Sequence, residues 1–147
     1  MEHKKIKVRV RDNATLPTYG SEYAAGADLY ACIDKWVIIN PGETKLIPTG
    51  VSMEIPEGYV GLVYARSGLA SKRGLAPANK VGVIDSDYRG EIMVALHNHS
   101  DHSEQINEND RIAQIVITPY VTADFEVVKE LSDTVRGEGG FGSTGTA

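Results

Sequence analysis

Val81-Gly82-Val83-Ile84-Asp85-Ser86-Asp87-Tyr88-Arg89-Gly90-Glu91 runs an apolar strand into two carboxylates, an aromatic, a guanidinium and a glycine. Residues two apart share one face of a strand. Asp85 and Asp87 therefore point the same way only where the extended form lasts. Ser86 to Gly90 has turn chemistry, which predicts a hairpin with a return strand over residues 91–96. Taken alone, its tip is either a substrate seat, with Tyr88 placed to cover a ring, or an ordinary hairpin end with solvated charges.

The segments around it follow the same short rhythm. Ile6, Val8 and Val10 alternate with Lys5, Lys7, Arg9 and Arg11, a half-buried strand whose cations mark the wet face. Residues 36–39 and 44–47 are strands divided by Asn40-Pro41-Gly42. Val51, Met53 and Ile55 alternate again before Pro56-Glu57-Gly58. Residues 59–65, 105–106, 111–120 and 125–128 complete the expected strands, and residues 13–21 read as a loop. The one helical stretch is 66–75, with Ser67 as its expected cap and Gly74 as its stop. Short strands between Gly/Pro signals, with almost no helix, predict an all-β fold: a double-sheet jelly roll or barrel. Residues 1–135 form this domain. The glycine-rich tail, residues 136–147, cannot bury enough surface to fix itself and is expected to be disordered unless a ligand or a neighbouring subunit orders it.

A chain of 147 residues fits one domain with a real core. Its 41% hydrophobic and 24% charged content place it among soluble globular proteins, and no apolar run is long enough to span a membrane. The N-terminus leads into alternating residues and not into a signal-peptide core. Cys32 is the only cysteine, which excludes an intrachain disulfide and suits a reducing cytoplasm. A net charge of −5 argues against a nucleic-acid partner, although a few placed arginines still suffice for a small anion.

Several side chains stand out. Arg66-Ser67-Gly68 opens the helix with a phosphate-matching fork, a hydroxyl and free first-turn amides, or is simply a capped helix start. Asp28 sits among alanines and glycine, where little solvates it: a buried acid held by backbone amides, or a partner for a metal-bound water. Gln114 shares the parity of Ile112 and Val116, so it points inward or into a site. His97, His99 and His102 raise a zinc reading, but no cysteine is near and a solvated loop explains them better. In the tail, Gly137 and Gly142 have phosphate-loop spacing, yet the lysine, the preceding strand and the following helix are missing. A mobile flap fits that composition: Arg136 and Ser143 for phosphates, Phe141 for a ring, glycines for close wrapping.

Taken in order, these segments resemble the five motifs of the homotrimeric dUTP diphosphatases. The motifs are Ala25-Gly26-Ala27-Asp28-Leu29, Ala65-Arg66-Ser67-Gly68-Leu69-Ala70, the stretch from Gly82 to Gly90, Asp110-Arg111-Ile112-Ala113-Gln114, and the tail from Arg136 to Gly145. The resemblance implies a jelly-roll trimer that hydrolyses dUTP to dUMP and pyrophosphate with Mg²⁺, each site drawing on three subunits. It implies Asp85 as general base for a water attacking the α-phosphorus, and Tyr88 as a platform under the deoxyribose that excludes a 2′-hydroxyl. Asn79, with main-chain groups around Gly82, Val83, Ile84 and Met93, would read uracil. Arg66, Ser67, Gly68 and Gln114 would hold phosphates. Asp28 would orient a water on a metal bound mainly by the substrate. Arg136, Phe141, Gly142 and Ser143 would close over a neighbour's site. Ala65 stands where many relatives have proline, and Asn109 where many have glycine; asparagine tolerates the left-handed backbone that glycine would supply. The nearest alternative is a dCTP deaminase on the same fold, which uses glutamate where Asp85 stands. A regulatory protein-binding role alongside activity is the other.

Overall fold

The computed structural model describes residues 1–142. Twelve strands and one helix follow in chain order: β1 (Lys7–Val10), β2 (Thr18–Tyr19), β3 (Ala27–Tyr30), β4 (Val37–Ile39), β5 (Thr44–Pro48), β6 (Val51–Glu54), β7 (Tyr59–Tyr64), α1 (Ser67–Arg73), β8 (Leu75–Pro77), β9 (Gly82–Ile84), β10 (Met93–Asn98), β11 (Glu104–Ile106) and β12 (Arg111–Pro119). They pair as a five-stranded sheet β2-β3-β12-β7-β9, a three-stranded sheet β5-β10-β8, and two ribbons, β1-β6 and β11-β4. All pairings are antiparallel. The all-β, jelly-roll-like expectation is met.

Each sheet sends alternate side chains into one shared core. Leu29 of β3, Ile39 of β4, Ile47 of β5, Leu96 of β10, Ile106 of β11 and Ile115 of β12 are all fully buried. Burying such a side chain stabilises the fold by about 1.5–3 kcal/mol, so sheets that share a core are held together without cross-sheet hydrogen bonds. Asn98 and Thr49 are polar residues fully buried with that core, and Asn98 brings in the larger polar group. Its Nδ2 donates to the Ile39 and His102 carbonyls at 2.8 Å each, and its Oδ1 accepts from the amide and hydroxyl of Ser100. Every polar atom it brings inside therefore has a partner, which is what permits its burial.

The hairpin expectation needs correction. β9 does not pair with the strand that follows it. It forms the edge of the five-stranded sheet against β7, with Val83 opposite Leu62. β10 pairs instead with β5 and β8. The true hairpin is β8–β10, and its arms hold together only as far as the bond from the Ala78 amide to the Ala95 carbonyl, 2.7 Å. Beyond that point the chain leaves for the other sheet and comes back. The reversal itself is there: the Tyr88 amide donates to the Asp85 carbonyl at 3.1 Å.

α1 begins at Ser67, the residue expected to cap it, so its cap falls one residue earlier. Arg66 is the N-cap with an extended backbone and no side-chain capping bond, and Ser67 is the first helical residue. Gly74 ends the helix in the left-handed conformation, φ 68°, where a side chain would be strained and would also strike Ser100. Asn109 has φ 63°, so it does adopt the left-handed backbone expected of it. Residues 120–142 carry no regular element, and the expected strand over 125–128 does not form. Phe125 and Val127 are almost fully exposed. Their alternation is genuine, but an extended segment becomes a strand only against a partner edge, and this chain offers it none among the described residues.

β12 contains a bulge. Arg111 lies opposite Tyr30, and Ala113 opposite Leu29, so Ile112 is one residue too many. Ile112 and Ala113 are consecutive and both fully buried.

Candidate active site

Past the bulge, the parity of β12 reverses. Ala113 and Ile115 face the core, while Gln114, Val116 and Thr118 take the other face. The sequence parity that grouped Gln114 with buried Ile112 is thus overturned. Gln114 lies directly between Asp28 on β3 and Tyr64 on β7, with Thr18 of β2 beyond Asp28. Residues directly opposite on antiparallel strands put their side chains on the same face. One row of four strands therefore gathers Thr18, Asp28, Gln114 and Tyr64.

Asp28 is nearly buried, and guanidinium groups solvate it in place of backbone amides. Arg66 Nε donates to Oδ1 at 2.9 Å, and Arg111 Nη1 stands 3.8 Å from Oδ2. Arg66 reaches it because β7 ends at Tyr64, beside Gln114, and the chain then turns into α1. Gln114 clamps that turn, donating from Nε2 to the Ala65 carbonyl at 2.9 Å. Gly26 gives the Gln114 amide its room: a Cβ there would collide with Oε1 and lie 3.0 Å from Cδ. First, second and fourth motifs thus meet at one point. The cluster holds two cations and one anion, so it keeps a positive excess. It borders a depression of about 350 Å³ lined by Arg66, Gly68, Lys72, Arg73, Asp110 and Arg111. A site of this kind attracts an anion with several charged oxygens. Sequence reasoning assigns Arg111 no contact. Its only signal is its place next to Asp110 in the fourth motif.

The third motif lies elsewhere on the same sheet. β9 is an edge strand, so alternate main-chain N–H and C=O groups along residues 82–84 have no strand partner on their outer side. Asn79 is exposed, with its amide nitrogen 3.4 Å from where a Cβ at Gly82 would stand. Met93 is part-exposed at the start of β10, where the two sheets part. Asp85 is exposed at the end of β9, and Tyr88 follows it, its ring folded back and its hydroxyl donating to the Glu91 carbonyl at 2.9 Å.

The chain brings these two groups to one sheet but not to one place. β9 lies three strands from β3, and Asp85 lies four residues along from the Asp28 row. With strands about 4.8 Å apart and a rise of about 3.3 Å per residue, the two carboxylates are roughly 20 Å apart. Among the described residues, those of the tail join neither. Arg136 Nε donates to the Gly139 carbonyl at 2.7 Å, closing a local turn, and Phe141 is fully exposed. Ser143 lies outside the described residues.

Among the described residues no three His, Cys, Asp or Glu side chains converge to hold a metal ion. His97 shares a 2.8 Å bond with Thr44, and His102 lies between Asp101 and Glu104. The hydrogen bond that the ring donates to Asp101, then the one it donates to Glu104, raises the His102 pKa above its usual range, and the bond from His102 lowers that of Asp101.

The family model for dUTPase matches residues 12–145. The chain belongs to the dUTPase family. A curated relative from Nautilia profundicola, deoxyuridine 5′-triphosphate nucleotidohydrolase, is 52% identical over 142 residues, covering 96% of this chain and 99% of its own. Among solved structures, the Staphylococcus bacteriophage 80alpha dUTPase with dUPNHPP superposes with a TM-score of 0.89 at 32% identity, covering 98% of this chain and 100% of that one. A mutant dUTPase of phage phi11 of S. aureus, described with a structural Mg(II) ion, gives 0.79 at 30% identity over 88% of this chain and 100% of its own. As a dUTPase, the chain is a hydrolase of deoxyuridine triphosphate. No helix among the described residues is long and apolar enough to cross a membrane.

Proposed function

We propose that the chain cleaves dUTP to dUMP and pyrophosphate in a site assembled from several copies of itself, a cytoplasmic homotrimer with one flap per site. The separation of about 20 Å between Asp28 and Asp85 carries this reading. Two motif groups that must act on one small nucleotide cannot do so within a single chain, whereas two chains can bring them face to face. The exposed tail fits the same scheme, with residues 1–135 as the body and 136–147 as the closing segment.

In that site Asp85 takes the proton of a water as it attacks the α-phosphorus. An exposed carboxylate at the end of a fixed strand suits a base that must reach solvent. The bare edge of β9 reads the uracil through main-chain groups of Gly82, Val83 and Ile84, helped by Asn79 and Met93. Tyr88 lies under the deoxyribose. Arg66, Ser67, Gly68 and Gln114 receive the phosphates, with the excess positive charge of the Asp28 cluster behind them. Arg136, Phe141, Gly142 and Ser143 close over the nucleotide and exclude bulk water. Mg²⁺, when bound, offsets charge on the phosphates. Asp28 already faces two guanidinium groups, so it fits a hydrogen bond to a hydrated ion better than a place in the inner coordination shell.

Subunit mixing tests the shared site. Asp85→Asn and Arg66→Ala are each expected to leave an inactive assembly. Dissociated and reassembled together, they are expected to regain pyrophosphate release from dUTP, because some sites then hold Asp85 from one chain and Arg66 from another. A mixed assembly as inactive as its parents overturns the shared site.

A further inference from the structure

The Tyr88 phenol occupies the space that a side chain at Gly90 would need. A Cβ at Gly90 would stand 2.5 Å from the Tyr88 hydroxyl, 2.6 Å from Cζ and 2.9 Å from Cε1. Gly90 is not among the glycines with a positive φ, so no left-handed backbone calls for glycine there and the space occupied by the ring is the constraint on view. The phenol passes through that space to donate to the Glu91 carbonyl at 2.9 Å. This carbonyl belongs to a fixed stretch. The Glu91 carboxylate pairs with Arg11 Nε at 3.1 Å. The Ile92 amide donates to the Val51 carbonyl at 2.8 Å, and the Ile92 carbonyl accepts from the buried Thr49 hydroxyl at 2.7 Å. At its other end, Tyr88 is tied by its amide to the carbonyl of Asp85.

We infer that Gly90 and the Glu91 carbonyl are the positioning elements that set the height of the Tyr88 ring, and with it the discrimination between deoxyribose and ribose triphosphates. This rests on the reading of Tyr88 as the sugar platform. Tyr88 is part-exposed at the far end of a flexible side chain. An added methyl at position 90 is therefore relieved by swinging the ring outward, at the cost of the tether and not of the fold. The swung ring leaves the space that a 2′-hydroxyl needs.

The test measures kcat/KM for dUTP and for UTP with the full-length chain, together with the thermal midpoint. Gly90→Ala is expected to lower the dUTP/UTP ratio by about tenfold or more. Its midpoint should stay near that of the parent. Tyr88→Phe, which keeps the ring and loses the tether, is expected to lower the ratio by about three- to tenfold. A merely structural role for Gly90 would depress both substrates together and leave the ratio alone. If Tyr88→Ala lowers the ratio while Gly90→Ala leaves it at the parental value, the inference is overturned and the sugar platform stands. If Tyr88→Ala leaves the ratio unchanged, the platform reading falls and the inference falls with it.

Discussion

Breaking the Asp28–Arg66 pair measures how firmly the cluster of Asp28, Arg66 and Arg111 is built. Asp28→Asn keeps the shape and removes the charge, leaving Arg66 and Arg111 as two cations with no acid between them. Removing one partner of a fully buried pair costs about 3–5 kcal/mol. An exposed pair is worth about 0.2–1 kcal/mol. The side chain of Asp28 is 12% exposed, that of Arg66 30% and that of Arg111 53%, so this cluster lies between the two limits. A coupling energy of about 1–2 kcal/mol between positions 28 and 66 follows. For a chain of this length that corresponds to about 3–8 °C in the unfolding midpoint. Urea and thermal unfolding of Asp28→Asn, Arg66→Gln and the double variant give the coupling directly. Protein concentration must be held fixed, because association raises apparent stability. A pair this sheltered is weakly screened, so the coupling should persist in high salt. Single-variant losses that add to within about 0.5 kcal/mol refute the argument that Asp28 holds Arg66 in place.

Asp85→Asn is expected to lower turnover by about 10²–10⁴-fold, the contribution of a positioned base, while keeping affinity for a non-hydrolysable dUTP analogue in calorimetry. Lost affinity would remove support for the base. A chain ending before Arg136 should keep its circular-dichroism spectrum and lose most of its dUTP turnover; full activity, or unfolding, counts against a closing flap. His102 has a raised pKa in the fold, so its contribution is present below about pH 6.5 and disappears as pH rises through the raised value. Asp101, lowered, contributes above about pH 4 and loses that as pH falls through its reduced value. His102→Gln should therefore flatten the unfolding midpoint between about pH 6 and pH 8, and an unchanged pH slope would sink the assignment.

Local pattern made much of this fold legible. The alternation of Val51, Met53 and Ile55 and the left-handed stop at Gly74 are short-range properties, and both appear where the sequence puts them. β3 was harder: Ala27, Asp28 and Leu29 are buried in succession, so no alternation marks the strand. β8 is three residues, from just past the helix stop through Pro77, below the length at which a pattern exists. Turn residues at 86–90 announce that the chain reverses but not which strand receives it, and that pairing is settled by core contacts far along the chain. Asp28 read as buried from its small neighbours. Its partners, 38 and 83 residues away in sequence at Arg66 and Arg111, left no local trace. The expected strand over 125–128 fails for a related reason, since alternation states a preference that only a partner edge can satisfy.

The extra residue at Ile112 has one more consequence. A regular strand ties the two faces of its sheet to a single count, so that what the interior requires at one position dictates what the exterior offers at the next. Ile112 breaks that tie. Two interior side chains are spent in succession, and the outer series begins afresh at Gln114. Chemistry on the outer face is thereby written in a frame of its own. Exchanges at Gln114, Val116 and Thr118 can accumulate without disturbing the interior series of Ala113, Ile115 and Ile117, whereas deletion of one residue between Arg111 and Ala113 would restore the single count and turn the row that begins at Gln114 toward the core.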